Sequence, residues 1–417
     1  FSPKKEGVCR KGRWCLMAGN LHVVLAIDTE GPVYDPKNPG LLSDWAQVDD
    51  FLARVFRESY RRQCLDSCSG GLVISWFVLN WTGFSSNPVR RDFGYHRIHD
   101  HYMESWGKKM QEFNDGIYWH YHHPSPSGIA NEWCKDWSAN REYLNILNRL
   151  VVDRAYFPSV FRAGGTIETN EMSSWLEQWI PFDYSNRAGR LNWDSRDSSG
   201  VCLRDLCDWS RAPSEWGAYH PSFDDYQQPG SMRRAIFRCL DLCTGVYSLS
   251  ESDIDAAFVR AQEGEDTILA VFDHDYRDRA DLFVESFLQP LQRVASRYPN
   301  VCWRYTNALE AAQSVLRYPK AKRPRFAVFY EPGREAFSIA SESLLFSSTP
   351  YVACKYVDSG EYSCEKVVPV ANRNWLLPLS DKARKRVIGI AGSDAYGNVG
   401  VSSYFWDGGR LSPHSAR

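Results

Sequence analysis

Along the first three quarters of the chain, short apolar runs alternate with stretches whose apolar residues recur at helical spacing. Residues 21–27, LHVVLAI, form a β-branched run that stops at DTEGP, which predicts a strand ending in turn chemistry. WAQVDDFLARVFRESYRRQC (45–64) carries its apolar positions three and four apart and predicts an amphipathic helix. GGLVISWFVLN (70–80) reads as a buried strand, YMESWGKKMQEF (102–113) as a helix and GIYWHYHH (116–123) as a third strand. The alternation continues through a helix over REYLNILNRLVVDRAYF (141–157), a short strand in SVFRAGG (159–165), and a helix over NEMSSWLEQW (170–179) with Asn170 as N-cap. A fifth strand ends in PFDYSN (181–186), and residues 187–232 read as an elaborate loop region. DTILAVFDHDY (266–276) and NVCWRY (300–305) are the last strands of this part, each followed by a helical pattern. Strands alternating with helices over about 300 residues imply parallel βαβ units, for which a barrel is the economical closure.

After PKAKRPR (319–325) the pattern changes. FAVFY, YVACKYV and RVIGIAGSDAYGNVGVSSYFW alternate without helices, and DAYGN (394–398) fits a hairpin turn. The expected organisation is an α/β barrel over residues 1–318 and a small β-sandwich of immunoglobulin-like size over 326–417.

Composition narrows the function classes. A formal net charge of −2 supplies no broad field to recruit nucleic acid or an anionic membrane. The longest apolar run, Leu72 to Leu79, is far short of the ~20 residues that cross a bilayer, so no transmembrane segment is expected. No signal segment opens the chain, whose first residue is Phe; the cytoplasm is the compartment favoured, with export left open. The 12 cysteines form no CxxC pair, and buried free thiols are the expected state, although Cys64/Cys68 and Cys239/Cys243 sit four apart.

In parallel α/β barrels the active site gathers at the carboxyl ends of the strands. That rule collects Asp28 and Glu30 from the first strand, His120 and His122 from the third, Arg162 from the fourth, Asp183 from the fifth, and Asp273, His274 and Asp275 from a late one. Side chains two apart on a strand share a face, so His120 and His122 can reach one ion while Tyr121 and His123 point elsewhere. Two imidazoles and a carboxylate leave positions open for water and substrate on a Zn²⁺-like ion, the make-up of a catalytic site. His99 and His101 repeat the spacing but follow a loop and precede a helix; local hydrogen bonding is the expectation there.

The ordered set AIDTEGP, WHYHHP, FRAGG, FDYSN and VFDHD resembles the five motifs of the polysaccharide deacetylases, carbohydrate esterase family four, over about residues 18–315. The resemblance implies a distorted (β/α)7 barrel that removes N- or O-acetyl groups from an acetylated carbohydrate with a divalent metal ion, zinc first. By the same resemblance Asp28 is the base, Glu30 the metal ligand beside Gly31-Pro32, Arg162 the residue orienting the base, and His274 the acid, with Asp183 near the fourth motif. The chain departs from the family in its Asp-Thr-Glu spacing, which leaves the roles of Asp28 and Glu30 exchangeable. Its histidines are two apart rather than four, which leaves His123 as an alternative to His122. The loops SWFVLNW (75–81), EWCKDW (132–137), LNWDS (191–195) and WGAYHPS (216–222) crowd aromatic and polar groups, with Trp76, Trp119, Tyr219 and His220 as candidate sugar contacts. Two other readings stand beside this one. The first is a catalytically silent barrel that binds or assembles glycans; the second is a glycoside hydrolase using two carboxylates, which would need no histidine pair.

Overall fold

A computed structural model describes residues 19–92, 94–189, 207–242 and 249–415. Its first part is built on a ten-stranded sheet. The strands are β1 (Asn20–Thr29), β2 (Ile74–Leu79), β3 (Gly116–Tyr121), β4 (Val160–Ala163), β5 (Phe182–Asn186), β6 (Ala218–Tyr219), β7 (Ala235–Arg238), β8 (Leu240–Asp241), β9 (Thr267–His274) and β10 (Cys302–Tyr305). They run in the order β6-β7-β5-β4-β3-β2-β1-β9-β8, with β10 also on β1. All pairings are parallel except β6 on β7. The sheet curls into an incomplete barrel whose two ends come close at Cys239, the single residue between β7 and β8.

Strand alternation sorts the side chains into two layers. Val24, Ala26, Phe77, Tyr118, Tyr184, Phe237 and Phe272 fill the interior. Leu25, Ile27, Trp76 and Val271 face outward onto helices α1 (Trp45–Val55) and α3 (Arg97–Glu112) and their neighbours. The helix expected over 45–64 breaks at Phe56, and a single turn, α2 (Glu58–Arg61), follows. Helix α3 starts five residues before the expected position and takes in His99 and His101. Helix α4 (Glu142–Arg154) lies where expected; α5 (Asn170–Leu176) is capped by Thr169, whose side chain accepts the Met172 N–H, so the cap is one residue earlier than Asn170. Ala235–Arg238 falls in a stretch to which the pattern assigned no strand.

Beyond residue 325 two antiparallel sheets face each other. One has four strands and the other five, with Phe337, Ile339, Ile388, Ile390 and Trp406 packed between them. The 394–398 turn joins two eight-residue strands as the hairpin pattern required; Asp394 accepts the N–H groups of Tyr396 and Asn398, and Gly397 takes φ +80°. The five-stranded sheet also packs on α4, where Tyr351, Ala353, Val387 and Ala391 join Ile146, Leu147 and Val151 in one core cluster. The expectation of buried thiols holds for Cys207, Cys239 and Cys354, whereas Cys68, Cys302 and Cys364 are exposed. No helix among the described residues is long and apolar enough to cross a membrane.

Candidate metal centre

Register brings the strand-end groups together. Asp28 is level with His274 across β1 and β9, and His120 is level with Arg162 across β3 and β4. Both Asp28 and His120 lie on the interior face, so they point over the aromatic filling of the barrel. Glu30 and His122 are the next residues of the same parity, just past the ends of β1 and β3.

The three groups form a buried cluster. His120 Nε2 and His122 Nε2 are 3.1 Å apart, His122 Nε2 and Glu30 Oε1 3.2 Å, and His120 Nε2 and Glu30 Oε1 3.8 Å. Tetrahedral bonds of about 2.0–2.1 Å would set ligand atoms about 3.3 Å apart, so the triangle has the size of one face of such a site. The tautomers fit as well. His120 Nδ1 lies 2.9 Å from the Arg162 carbonyl oxygen, which only accepts, so Nδ1 carries the proton and Nε2 offers its lone pair. The residues present therefore suit a divalent cation held by two imidazoles and one carboxylate.

Around the triangle stand the groups that aim it. Arg162 Nε donates to both Asp28 oxygens at 2.9 and 3.0 Å, and its Nη1 donates to the Tyr184 carbonyl. Asp28 Oδ2 is 3.8 Å from His120 Nε2 and 4.0 Å from His274 Nε2, which itself lies 3.7 Å from Glu30 Oε1. Arg91 Nη2 meets Glu30 Oε2 at 3.0 Å, leaving Oε1 to the histidines. The Arg91 guanidinium is clamped between the Trp81 and Tyr276 rings and donates from Nε to Asn131. Asp275 accepts the N–H groups of Glu30 and Gly31 at 2.8 and 3.0 Å and the Tyr102 hydroxyl at 2.8 Å, which fixes the turn after β1. Gly31 sits there at φ +68°. On the other side, Gly164 leaves room for the His122 ring, which a Cβ at that position would strike. Trp81 stacks on the same ring and Trp133 lies tilted against it at 4.1 Å.

Charge follows this layout. Burial opposes ionisation of Glu30, but Arg91 and His122 outweigh it and hold the carboxyl well below the usual carboxylate range. Burial pushes His122 down to about 4, toward the neutral form that ligates. For His274 burial also acts downward, yet the Asp273, Glu30 and Asp28 carboxylates prevail and raise it. Burial lifts Asp275 to about 6 against the pull of its backbone donors. For Arg162 burial acts downward, and the Asp28 carboxylate reverses it and raises the guanidinium further.

Of the residues singled out from sequence, Asp28, Glu30, His120, His122, Arg162 and His274 come together, with Asp273 beside His274 and Asp275 beneath the turn at Glu30. Asp183, Trp76, Trp119, Tyr219 and His220 do not. Asp183 has the opposite parity on β5 and points outward, into a buried cluster where Arg234 pairs with both Asp183 and Glu168. Trp76 is wholly buried in the outer layer, its Nε1 donating to Asp115, and Trp119 is buried among Phe161, Tyr121 and Trp175. Neither ring has a face free for a sugar, because strand parity turns both away from the interior. Tyr219 and His220 line a separate cavity of about 520 Å³ with Asn186 and Arg260. His123 meets Tyr121 Oη outside the triangle, and it is His122 that lies beside His120 and Glu30. His99 meets its neighbour Asp100, as the local reading expected, whereas His101 meets Asp49 on α1, 52 positions away, and stacks on Trp45. LNWDS, Cys202 and Cys243 lie outside the described residues.

Sequence reasoning missed Arg91, which no motif marks, and the structural office of Asp275. Trp81 and Trp133 stand inside the aromatic stretches 75–81 and 132–137, but the sequence does not single them out from the other aromatics there.

No family model matches this chain, and no curated protein matches it at a significant level. What fold and site define is a curled-barrel protein with a buried His–His–Glu metal-coordinating site, consistent with a metal-dependent hydrolase. Asp28, paired to Arg162 and within 4 Å of His120, is the free carboxylate of that site.

Proposed function

We propose that the chain is a carbohydrate deacetylase that hydrolyses an N- or O-acetyl group with a divalent ion, zinc first, held by Glu30, His120 and His122. The observation that carries this reading is the convergence of three ligand atoms with an Arg-paired carboxylate and a third imidazole, that of His274, all within 4.0 Å links. A Zn²⁺-like ion when bound supplies a water of lowered pKa and polarises the acyl oxygen. Asp28 accepts the proton of the attacking water, and Arg162 holds that carboxylate aimed. His274, on the far side of Asp28, delivers a proton to the departing nitrogen or oxygen, since an unprotonated amine anion does not leave. Trp133, half-buried beside His122, offers a ring edge at the mouth of the site for a sugar. The barrel is read as the distorted (β/α)7 form, with β7 and β8 together as one stave, and the two antiparallel sheets as an immunoglobulin-like unit over 326–417.

The test is cation content and acetate release from N-acetylated chito-oligosaccharides, for the wild type beside His120→Ala and His122→Ala. About one cation per chain in the wild type, lost in both variants together with acetate release, is the expected result. Sugar binding without cation uptake would favour the silent glycan-binding reading, and acetate release indifferent to both substitutions would end the proposal.

A further inference from the structure

Far from the metal centre, the amino-terminal end of the barrel brings two thiols face to face. Cys302 opens β10, opposite Asn20 of β1, and Cys68 sits in the loop after α2. Their sulfurs are 3.8 Å apart although the residues are 234 positions apart in sequence, and both are exposed. No other pair of described cysteines has its sulfurs in contact. The backbones carrying them are fastened to each other. Ser67 N–H donates to the Trp303 carbonyl, Trp303 N–H donates to Ser67 Oγ at 2.8 Å, and Ser67 Oγ donates to the Trp303 carbonyl at 2.6 Å. Asp66 completes the seam, accepting the N–H groups of Cys68 and Gly70 at one oxygen and of Tyr305 at the other. Two thiols held on rigid, mutually bonded backbones and open to solvent have already met the entropic cost of approach. Forming a disulfide would bring the two sulfurs from 3.8 Å to ~2.0 Å.

We propose that Cys68 and Cys302 are a modification site: they form an intramolecular disulfide in exchange with a small-molecule disulfide of the glutathione type. One protein thiolate attacks a sulfur of the small disulfide and releases its first thiolate. The other cysteine then attacks the mixed disulfide, forms the Cys68–Cys302 bond and releases the second. The protein gives up two protons and two electrons, and the small disulfide becomes two thiols. The bond would span the loop after α2 and β10, at the opposite end of β1 from Asp28, so it bears on stability rather than on the metal centre.

The full chain, equilibrated with oxidised glutathione and alkylated, is digested without reductant and mapped by mass spectrometry. A peptide linking Cys68 to Cys302, absent from Cys68→Ser and from Cys302→Ser and retained in Cys364→Ser, is the expected result. The oxidised wild type should melt higher than its reduced form by on the order of 5 °C, with no such shift in either serine variant. Cys68 or Cys302 linked instead to Cys64 or another cysteine, or stable mixed disulfides with glutathione alone, would overturn the proposal.

Discussion

Glu30 shows how a single side chain is made into a ligand with a defined face. Its Oε2 is occupied by Arg91 and its backbone N–H by Asp275, so Oε1 alone is presented to the histidines. Arg91 is thus a positioning residue, acting through Glu30. Arg91→Met should weaken cation binding by about 10- to 100-fold, the usual effect of losing an outer partner of a ligand, while Arg91→Lys recovers part of it. Titration calorimetry with Zn²⁺ checks this, and added guanidinium should partly restore the Met variant. Equal affinity in the two variants and the wild type would show that the ion pair is scaffold only. The sequence could deliver Glu30 because it stands in a Gly-Pro turn; it could not deliver Arg91, whose position in an irregular loop carries no periodicity and whose carboxylate partner, Glu30, belongs to a different loop far back in the chain.

The strands were legible because the barrel buries them on both faces, so each reads as a continuous apolar run ended by Gly, Asn or Asp. What such a run hides is which face each residue takes. Trp76, Trp119 and Asp183 lie within strands near the right level, and only parity against Asp28, His120 and Arg162 shows that they point the other way. The stretch 235–241 escaped for a related reason: Arg234 and Arg238 flank three residues, of which only Ala235 and Phe237 enter the interior. Loop conformation matters as much as strand parity at β4, where Gly164 is the surface on which His122 rests. Gly164→Ala should keep the fold, with unchanged far-ultraviolet circular dichroism, yet displace the ring and lower cation affinity by about tenfold or more. Unaltered affinity would mean that the loop after β4 yields more readily than its packing implies.

Acid stability belongs to the molecule as a whole, and one buried imidazole sets part of it. Burial, helped by Arg304, lowers His22 to about 4 from 6.5. A depressed folded-state value means that the unfolded chain takes up the proton first, so stability present above 6.5 is lost as pH falls toward 4. Between about pH 7.5 and about pH 4.5 this group alone should remove roughly 2 kcal/mol, and His22→Gln should lose correspondingly less over the same interval. Urea unfolding at the two pH values measures the difference; identical losses in both proteins would exclude His22 as the titrating group. The same scale holds the second unit, which shares a core with α4: Gly389 brings the backbone of the five-stranded sheet against Val151, leaving 2.7 Å between an added Cβ and the Val151 side chain.

Arg162 touches the site twice, with its guanidinium on Asp28 and its carbonyl oxygen on the imidazole of His120. Only the first of these can be altered by changing the side chain; the second is written into the main chain and survives any substitution. A slip of β4 by a single position would unhook the Asp28 carboxylate and the His120 imidazole in the same instant. The two can therefore drift apart in evolution by exchange of side chains, never by sliding of the strand that serves them both.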